Sequence, residues 1–125
     1  MGIDMRFRVN DLSELKIPRV DLTIVLANLI DNAMEACVSL PEQSRWVSIQ
    51  ILYCKNVLSI RIINPSKSVQ INNGYIPTTK HEPLLHGFGI SNVSDILEKY
   101  NAEYFFNYEN GRFIFSADWP DIAKS

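Results

Sequence analysis

The chain has 125 residues, 46% apolar and 21% charged, with 5 Gly and 6 Pro, the proportions of one folded globular domain and not of a low-complexity or disordered segment. With 12 Lys and Arg against 14 Asp and Glu the net charge is −2 and the pI is near 5.6, which speaks against a nucleic-acid binder held by phosphate neutralisation. No run approaches the roughly 18 apolar residues of a membrane span, and the start Met1-Gly2-Ile3-Asp4 lacks the basic and apolar regions of a secretion signal, so a cytoplasmic domain without direct membrane contact is expected.

Ile3 to Asn10 alternate, with Ile3, Met5, Phe7 and Val9 on one face and Asp4, Arg6, Arg8 and Asn10 on the other, which predicts a half-buried strand. After Pro18, Asp21 is positioned to cap a helix whose apolar residues Leu22, Val25, Leu26, Leu29, Ile30, Ala33 and Met34 recur at three- and four-residue spacing. Leu40-Pro41 closes it. Trp46 to Tyr53 and Val57 to Ile63 read as a hairpin across the polar turn Lys55-Asn56. Cys37 and Cys54 sit inside apolar patterns and form no C-x-x-C pair, so both are expected as reduced core thiols.

From Asn64 to His86 periodicity disappears, predicting a loop of about 20 residues, longer than connections usually run. A second helix follows Gly89, with Ile90, Val93, Ile96, Leu97 and Tyr100 on one face. Tyr104 to Tyr108 and Arg112 to Ala117 are two more strands, joined through Asn110-Gly111, the type I′ hairpin signal. Trp119 to Ser125 reads as a polar tail. The order strand, helix, two strands, loop, helix, two strands predicts an α/β two-layer sandwich, a mixed or antiparallel sheet covered on one face by helices.

On the first helix Asn28, Asp31, Asn32 and Glu35 fall at about 0°, 300°, 40° and 340° when each residue advances ~100°, one narrow polar face. A solvated surface accounts for such a stripe, yet surface stripes usually carry Lys, Arg and Gln. Asparagine is a mediocre helix former because its amide competes for backbone groups. Oxygens converging from adjacent turns are also hard ligands suited to Mg²⁺, which takes few protein oxygens together with water and phosphate. The two acids repel naked phosphate, so a nucleotide bound here would arrive with its metal. In His86-Gly87-Phe88-Gly89-Ile90-Ser91-Asn92-Val93, two glycines directly precede a helix. They serve either a steric need or close backbone approach to an anion at the unpaired N–H groups of the first turn. The segment is neither a P-loop nor a Rossmann fingerprint. Thr78, Thr79, Lys80, His81 and His86 upstream are either a polar loop or donors to a phosphate tail.

In this order, the two segments resemble a known superfamily. Leu26-Ala27-Asn28-Leu29-Ile30-Asp31-Asn32-Ala33-Met34-Glu35-Ala36 is similar to the N box shared by gyrase B, the heat-shock chaperone, histidine kinases and mismatch-repair ATPases. His86 to Val93, preceded by Thr78-Thr79-Lys80, resembles its second glycine box and the end of its ATP lid. The N-A-x-E-A and H-G-x-G-I-x-N-V forms are most similar to sensor histidine kinases of the quorum-sensing peptide-receptor type, and the resemblance covers residues 4 to 120.

The resemblance implies the Bergerat ATP-binding fold, with ATP and Mg²⁺ as cofactors. Asn32 is then the expected Mg²⁺ ligand, and Asn28 a second ligand or phosphate contact. Lys80 and His86 would be lid contacts to the phosphates. Gly87 and Gly89, with the N–H groups of Phe88 and Ile90, would wrap the triphosphate. Where the family's first glycine box begins with an Asp that accepts a bond from the adenine amino group, this chain has Asn64-Pro65-Ser66; the Asn64 amide oxygen is an acceptor, weaker than a carboxylate. The hydrolysing branches carry a general-base Glu one turn before the metal-binding Asn, and here that position is Asn28. A neutral amide cannot take a proton from water at pH 7, which favours holding ATP for transfer. Residues 1–125 are thus expected to be a single ATP-binding catalytic domain excised from a longer kinase. Its partners would be the dimerisation and phosphoacceptor domain of that kinase and a response regulator downstream. An anti-sigma-type serine kinase and a degenerate interaction module on the same fold are the alternatives.

Overall fold

A computed structural model describes residues 2–66 and 90–121 of the chain. Its elements are β1 (Asp4–Val9), α1 (Arg19–Cys37), a short 3₁₀ turn at Glu42–Ser44, β2 (Trp46–Cys54), β3 (Val57–Pro65), α2 (Ile90–Lys99), β4 (Glu103–Glu109) and β5 (Arg112–Pro120). The expected long loop lies almost wholly outside the described residues, as does the end of the chain after Asp121.

The strands form one sheet in the order β1-β2-β3-β5-β4. β1 is parallel to β2, and the other pairs are antiparallel. Both hairpins turn through two residues with positive φ, Lys55 and Asn56 (52° and 64°) and Asn110 and Gly111 (54° and 76°). That backbone twist matches the strands on either side. Because side chains alternate across a strand, register gathers one face of the sheet into rows. One row runs Phe7, Ile49, Ile62, Phe115, Phe106 and the next Val9, Ile51, Ile60, Ala117, Tyr104. These rows, with Val47, Leu58 and Trp119, meet Val25, Leu29, Ala33 and Cys37 of α1 and Val93 and Leu97 of α2 in a single core. The opposite face is mixed: one row runs Arg8, Gln50, Arg61, Ser116 and the exposed Phe105, and the next sets Ile63 beside Ile114. The expected two-layer sandwich is the observed one.

The cover stops short of the second half of β1. Ile3 and Met5 pack against the core, but Phe7 is 64% exposed and Val9 49%, although their neighbours in β2 are buried, so only the start of the strand is half-buried as its alternation predicts. Two helices of about 10 Å diameter lie over about four strands spaced ~4.8 Å apart, and β1 is the fifth. A second correction concerns the C-terminus, where the expected polar tail is instead structural. Trp119 is fully buried, with its ring 5.3 Å from that of Tyr100, and Pro120 still pairs with Val57. Asp121 is buried. It accepts the Lys16 backbone N–H at 2.9 Å and the Tyr53 hydroxyl at 2.6 Å, and its own N–H donates to the Asn56 carbonyl at 2.7 Å. A single carboxylate thereby ties the chain end to the β2–β3 hairpin and to the segment that leads into α1. Of the two cysteines only Cys37 is in the core; Cys54 is exposed because it closes β2 at the turn.

Asp121→Ala leaves the Tyr53 hydroxyl and the Lys16 N–H without their acceptor and is expected to lower stability by about 1–3 kcal/mol, read as a shift of the urea midpoint with the circular dichroism spectrum unchanged. Hydrogen bonding to Asp121 raises the Tyr53 pKa to about 12, and burial with the bond to Asp21 does the same for Tyr100. An unfolded tyrosine ionises near ~10. The folded state therefore holds these protons longer, and the stability they contribute below pH 10 is lost as pH rises from 10 to 12. Urea midpoints across that window should fall, and fall less steeply in Tyr53→Phe.

Candidate functional site

α1 is built so that burial grades around its circumference. At ~100° per residue, the buried Val25, Leu29, Ala33 and Cys37 span about 60° to 180°, counted from Asn28 at zero. Asn32, at about 40°, flanks that arc and is half-buried, as is Asn28; Asp31 and Glu35, farther round, are exposed. The two asparagines thus sit on the shoulder of the helix, where a ligand held against the protein meets them, and the two acids face outward. Asn28 Nδ2 donates to the Ile24 carbonyl at 2.9 Å. With its donor turned back on its own helix, the amide offers Oδ1, the hard oxygen a cation needs.

The helix begins at Arg19 with Pro18 at its N-cap, and no side chain caps it. Asp21, expected as the cap, is the third helical residue instead. Proline's fixed φ and missing N–H suit a helix start, and the Leu22 N–H to Pro18 carbonyl bond at 3.1 Å closes the first turn. Released from capping, the Asp21 carboxylate accepts the Tyr100 hydroxyl, and its Oδ2 lies 3.7 Å from Lys99 Nζ. The start of α1 is therefore fastened to the end of α2. Two helices packed side by side with the end of one at the start of the other run in opposed directions. Over the ten residues of α2, about 15 Å, this carries Ile90 toward the level of the Asn28 and Asn32 turns. The first turn of α2 is thereby brought to about the level of the polar shoulder along α1.

Asn64 is in β3, not at the start of a loop. It is 3% exposed, on the face shared with the buried Ile62 and opposite Phe113 of β5. Its Nδ2 donates one of its two N–H groups to the Pro65 carbonyl at 2.9 Å, and its oxygen is an acceptor. Lys80, His86, Gly87, Phe88 and Gly89 lie outside the described residues; Ile90 is the first residue of α2. Among the described residues no group of three or more His, Cys, Asp or Glu could hold a metal, and a cation at Asn28 and Asn32 would need oxygens from its ligand. The Asp21–Tyr100–Lys99 cluster escaped sequence reasoning. Its only sequence signal is a carboxylate in a first helical turn and a Lys-Tyr pair at a helix end.

Removing either amide should not weaken the empty fold. Ala exceeds Asn in helix propensity by about 0.5 kcal/mol, so Asn32→Ala is expected to leave the urea midpoint unchanged or slightly raised when no ligand is present. A clear loss of stability would make the residue structural.

Residues 17–120 match a family model described as the GHKL domain. No curated protein matches the chain. Among solved structures, a nucleotide-free catalytic domain of histidine kinase ThkA superposes with a TM-score of 0.73 at 18% identity, over 96% of this chain and 80% of that one. Histidine kinase AdeS of Acinetobacter baumannii gives 0.71 at 13% identity over 98% and 56%. ThkA in complex with the response regulator protein TrrA gives 0.71 at 17% identity, over 97% of this chain and 35% of that one.

Proposed function

The chain belongs to the GHKL domain family and has the fold of histidine kinase catalytic domains, the Bergerat sandwich, and from that premise we propose that it binds Mg-ATP and donates the γ-phosphoryl group to a histidine on a separate dimerisation and phosphoacceptor domain. The supporting observation is the convergence just described. The half-buried amides Asn28 and Asn32 and the first turn of α2 stand at about the same level along an opposed helix pair. One holds oxygens for a cation and the other N–H groups for an anion.

In this reading Asn32 Oδ1 ligates Mg²⁺ and Asn28 Oδ1 is a second ligand or meets the phosphates. The bound ion neutralises phosphate charge and fixes its orientation. Lys80 and His86 contact the phosphates from the lid, and Gly87 and Gly89 let the backbone close on them, with the N–H groups of Phe88 and Ile90 donating. Asn64 Oδ1, with the amide nitrogen donating to Pro65, accepts from the adenine amino group. Phosphoryl transfer asks little covalent chemistry of the protein beyond positioning and charge stabilisation. The incoming imidazole forms a bond to the γ-phosphorus as the bond to the β,γ-bridging oxygen breaks and ADP leaves. With Asn28 where a general base would be needed, water is not activated, and the acceptor is the histidine brought by the phosphoacceptor domain.

The chain would be the cytoplasmic domain of a longer, membrane-bound sensor kinase, of the quorum-sensing peptide-receptor type by its motifs, signalling to a response regulator. Asn64-Pro65-Ser66 in place of an Asp followed by glycines favours a second reading, a degenerate module that binds a partner and no nucleotide.

Calorimetric titration with a non-hydrolysable ATP analogue separates the two. Binding that requires Mg²⁺ and disappears in Asn32→Ala is expected; no binding at millimolar analogue favours the module. Asn64→Asp replaces the buried amide by a stronger acceptor that no longer donates to Pro65. It should tighten the adenine nucleotide while lowering the stability of the free domain by about 1–3 kcal/mol. A variant that binds no better, or worse, removes Asn64 from the adenine site.

A further inference from the structure

The bond from Tyr100 to Asp21 lies at the end of the helix pair away from Asn28 and Asn32, outside every contact the nucleotide reading uses. Asp21 is in the first turn of α1 and Lys99 in the last turn of α2. Each charge therefore opposes the partial charge of its own helix terminus, and the two side chains face one another across the helix pair, Lys99 Nζ 3.7 Å from Asp21 Oδ2. The Asp21 side chain is only 14% exposed, which shields its interactions from water. Lys99 also sits 5.4 Å from the centre of the Tyr100 ring, and that ring packs on the fully buried Trp119. Tyr100 is thus held by the sheet on one side and by α1 on the other. A hydroxyl at the end of a rigid ring, bonded to a carboxylate in a first helical turn, leaves the two helices little freedom to slide along each other.

We infer that Tyr100 and Asp21, flanked by Lys99, form a positioning latch that fixes the axial register of α2 against α1 and so sets the spacing between Asn32 and the first turn of α2 that a metal-bound triphosphate must span. The inference rests on the nucleotide reading above and adds residues that touch no ligand. A slide of one helix along the other moves the anion-binding turn relative to the cation-binding amides, and it leaves β3, with Asn64, in place. The latch therefore bears on the phosphate and metal part of the affinity and not on the adenine part.

The test compares a non-hydrolysable Mg-ATP analogue with adenosine by titration calorimetry, on the wild-type chain, Tyr100→Phe, Asp21→Ala and Asp21→Asn. Tyr100→Phe keeps the ring on Trp119 and deletes only the hydroxyl. It is expected to weaken the analogue by about tenfold, the scale of coupling between sites joined through packed elements, with adenosine binding unchanged. Asp21→Ala should do the same, and Asp21→Asn, whose amide oxygen still accepts from Tyr100, should bind the analogue close to wild type. If Tyr100→Phe does not fold, the Asp21→Ala and Asp21→Asn pair carries the same comparison. Analogue affinity unchanged in Tyr100→Phe and Asp21→Ala overturns the latch while the nucleotide reading stands, and so does equal weakening of analogue and adenosine, which is the mark of a general loosening. A wild-type chain that binds neither ligand overturns the nucleotide reading itself, and the latch with it.

Discussion

The sheet has one covered face, and the rest of the molecule is arranged around that asymmetry. Apolar rows on β2, β3, β5 and β4 have to be shielded by two helices, and the helices must present apolar arcs of matching width toward them. An arc that spans about a third of α1 leaves its shoulders half-buried, and the shoulder bearing Asn28 and Asn32 is where the candidate site is found. The polar stripe and the apolar cover are successive sectors of one helix, separated by a rotation of a few tens of degrees. The same geometry sets the candidate residues on the helix surface and at the buried end of β3.

Carboxylates then fix what burial leaves free. Apolar packing is nondirectional and specifies a layer better than a register. Asp121 joins the chain end, the β2–β3 hairpin and the approach to α1 through three directed bonds. Asp21 joins the two helices at one end. In both, a tyrosine hydroxyl is the donor, a rigid ring that reaches a distant acceptor at low entropic cost. The covered face is thus pinned at its margins by two Tyr–Asp pairs.

What could be read in the sequence follows the range of the forces involved. Periodicity of 2 and 3.6 located all five strands and both helices to within a few residues, since alternation and helical spacing are local consequences of burial. Asn110-Gly111 announced its turn because few residues adopt positive φ readily. The polar stripe on α1 stood out because asparagine is poorly suited to mid-helix positions. Long-range facts were illegible. Phe7 and Val9 alternate as core residues do, and only the number of strands under two helices decides that they lie beyond the cover. Asp21 has the chemistry of a cap, and its diversion to Tyr100 depends on a helix seventy-odd residues later. Trp119 and Asp121 read as a tail because polar neighbours surround them in sequence, whereas their partners, Tyr100, Lys16 and Tyr53, are remote. β3 outlasts its apolar run by two residues because β5 continues to pair with it.

The two cysteines differ in a way useful to anyone labelling the domain. Cys37 is fully buried, donates to the Trp46 carbonyl at 3.4 Å, and has its thiol pKa pushed up by burial, so little reactive thiolate is available there. Cys54 is exposed beside the β2–β3 turn. The unaltered chain therefore offers a single addressable sulfur on the rim of the sheet. A dye or spin label attached at that position would track tumbling of the native protein without any substitution.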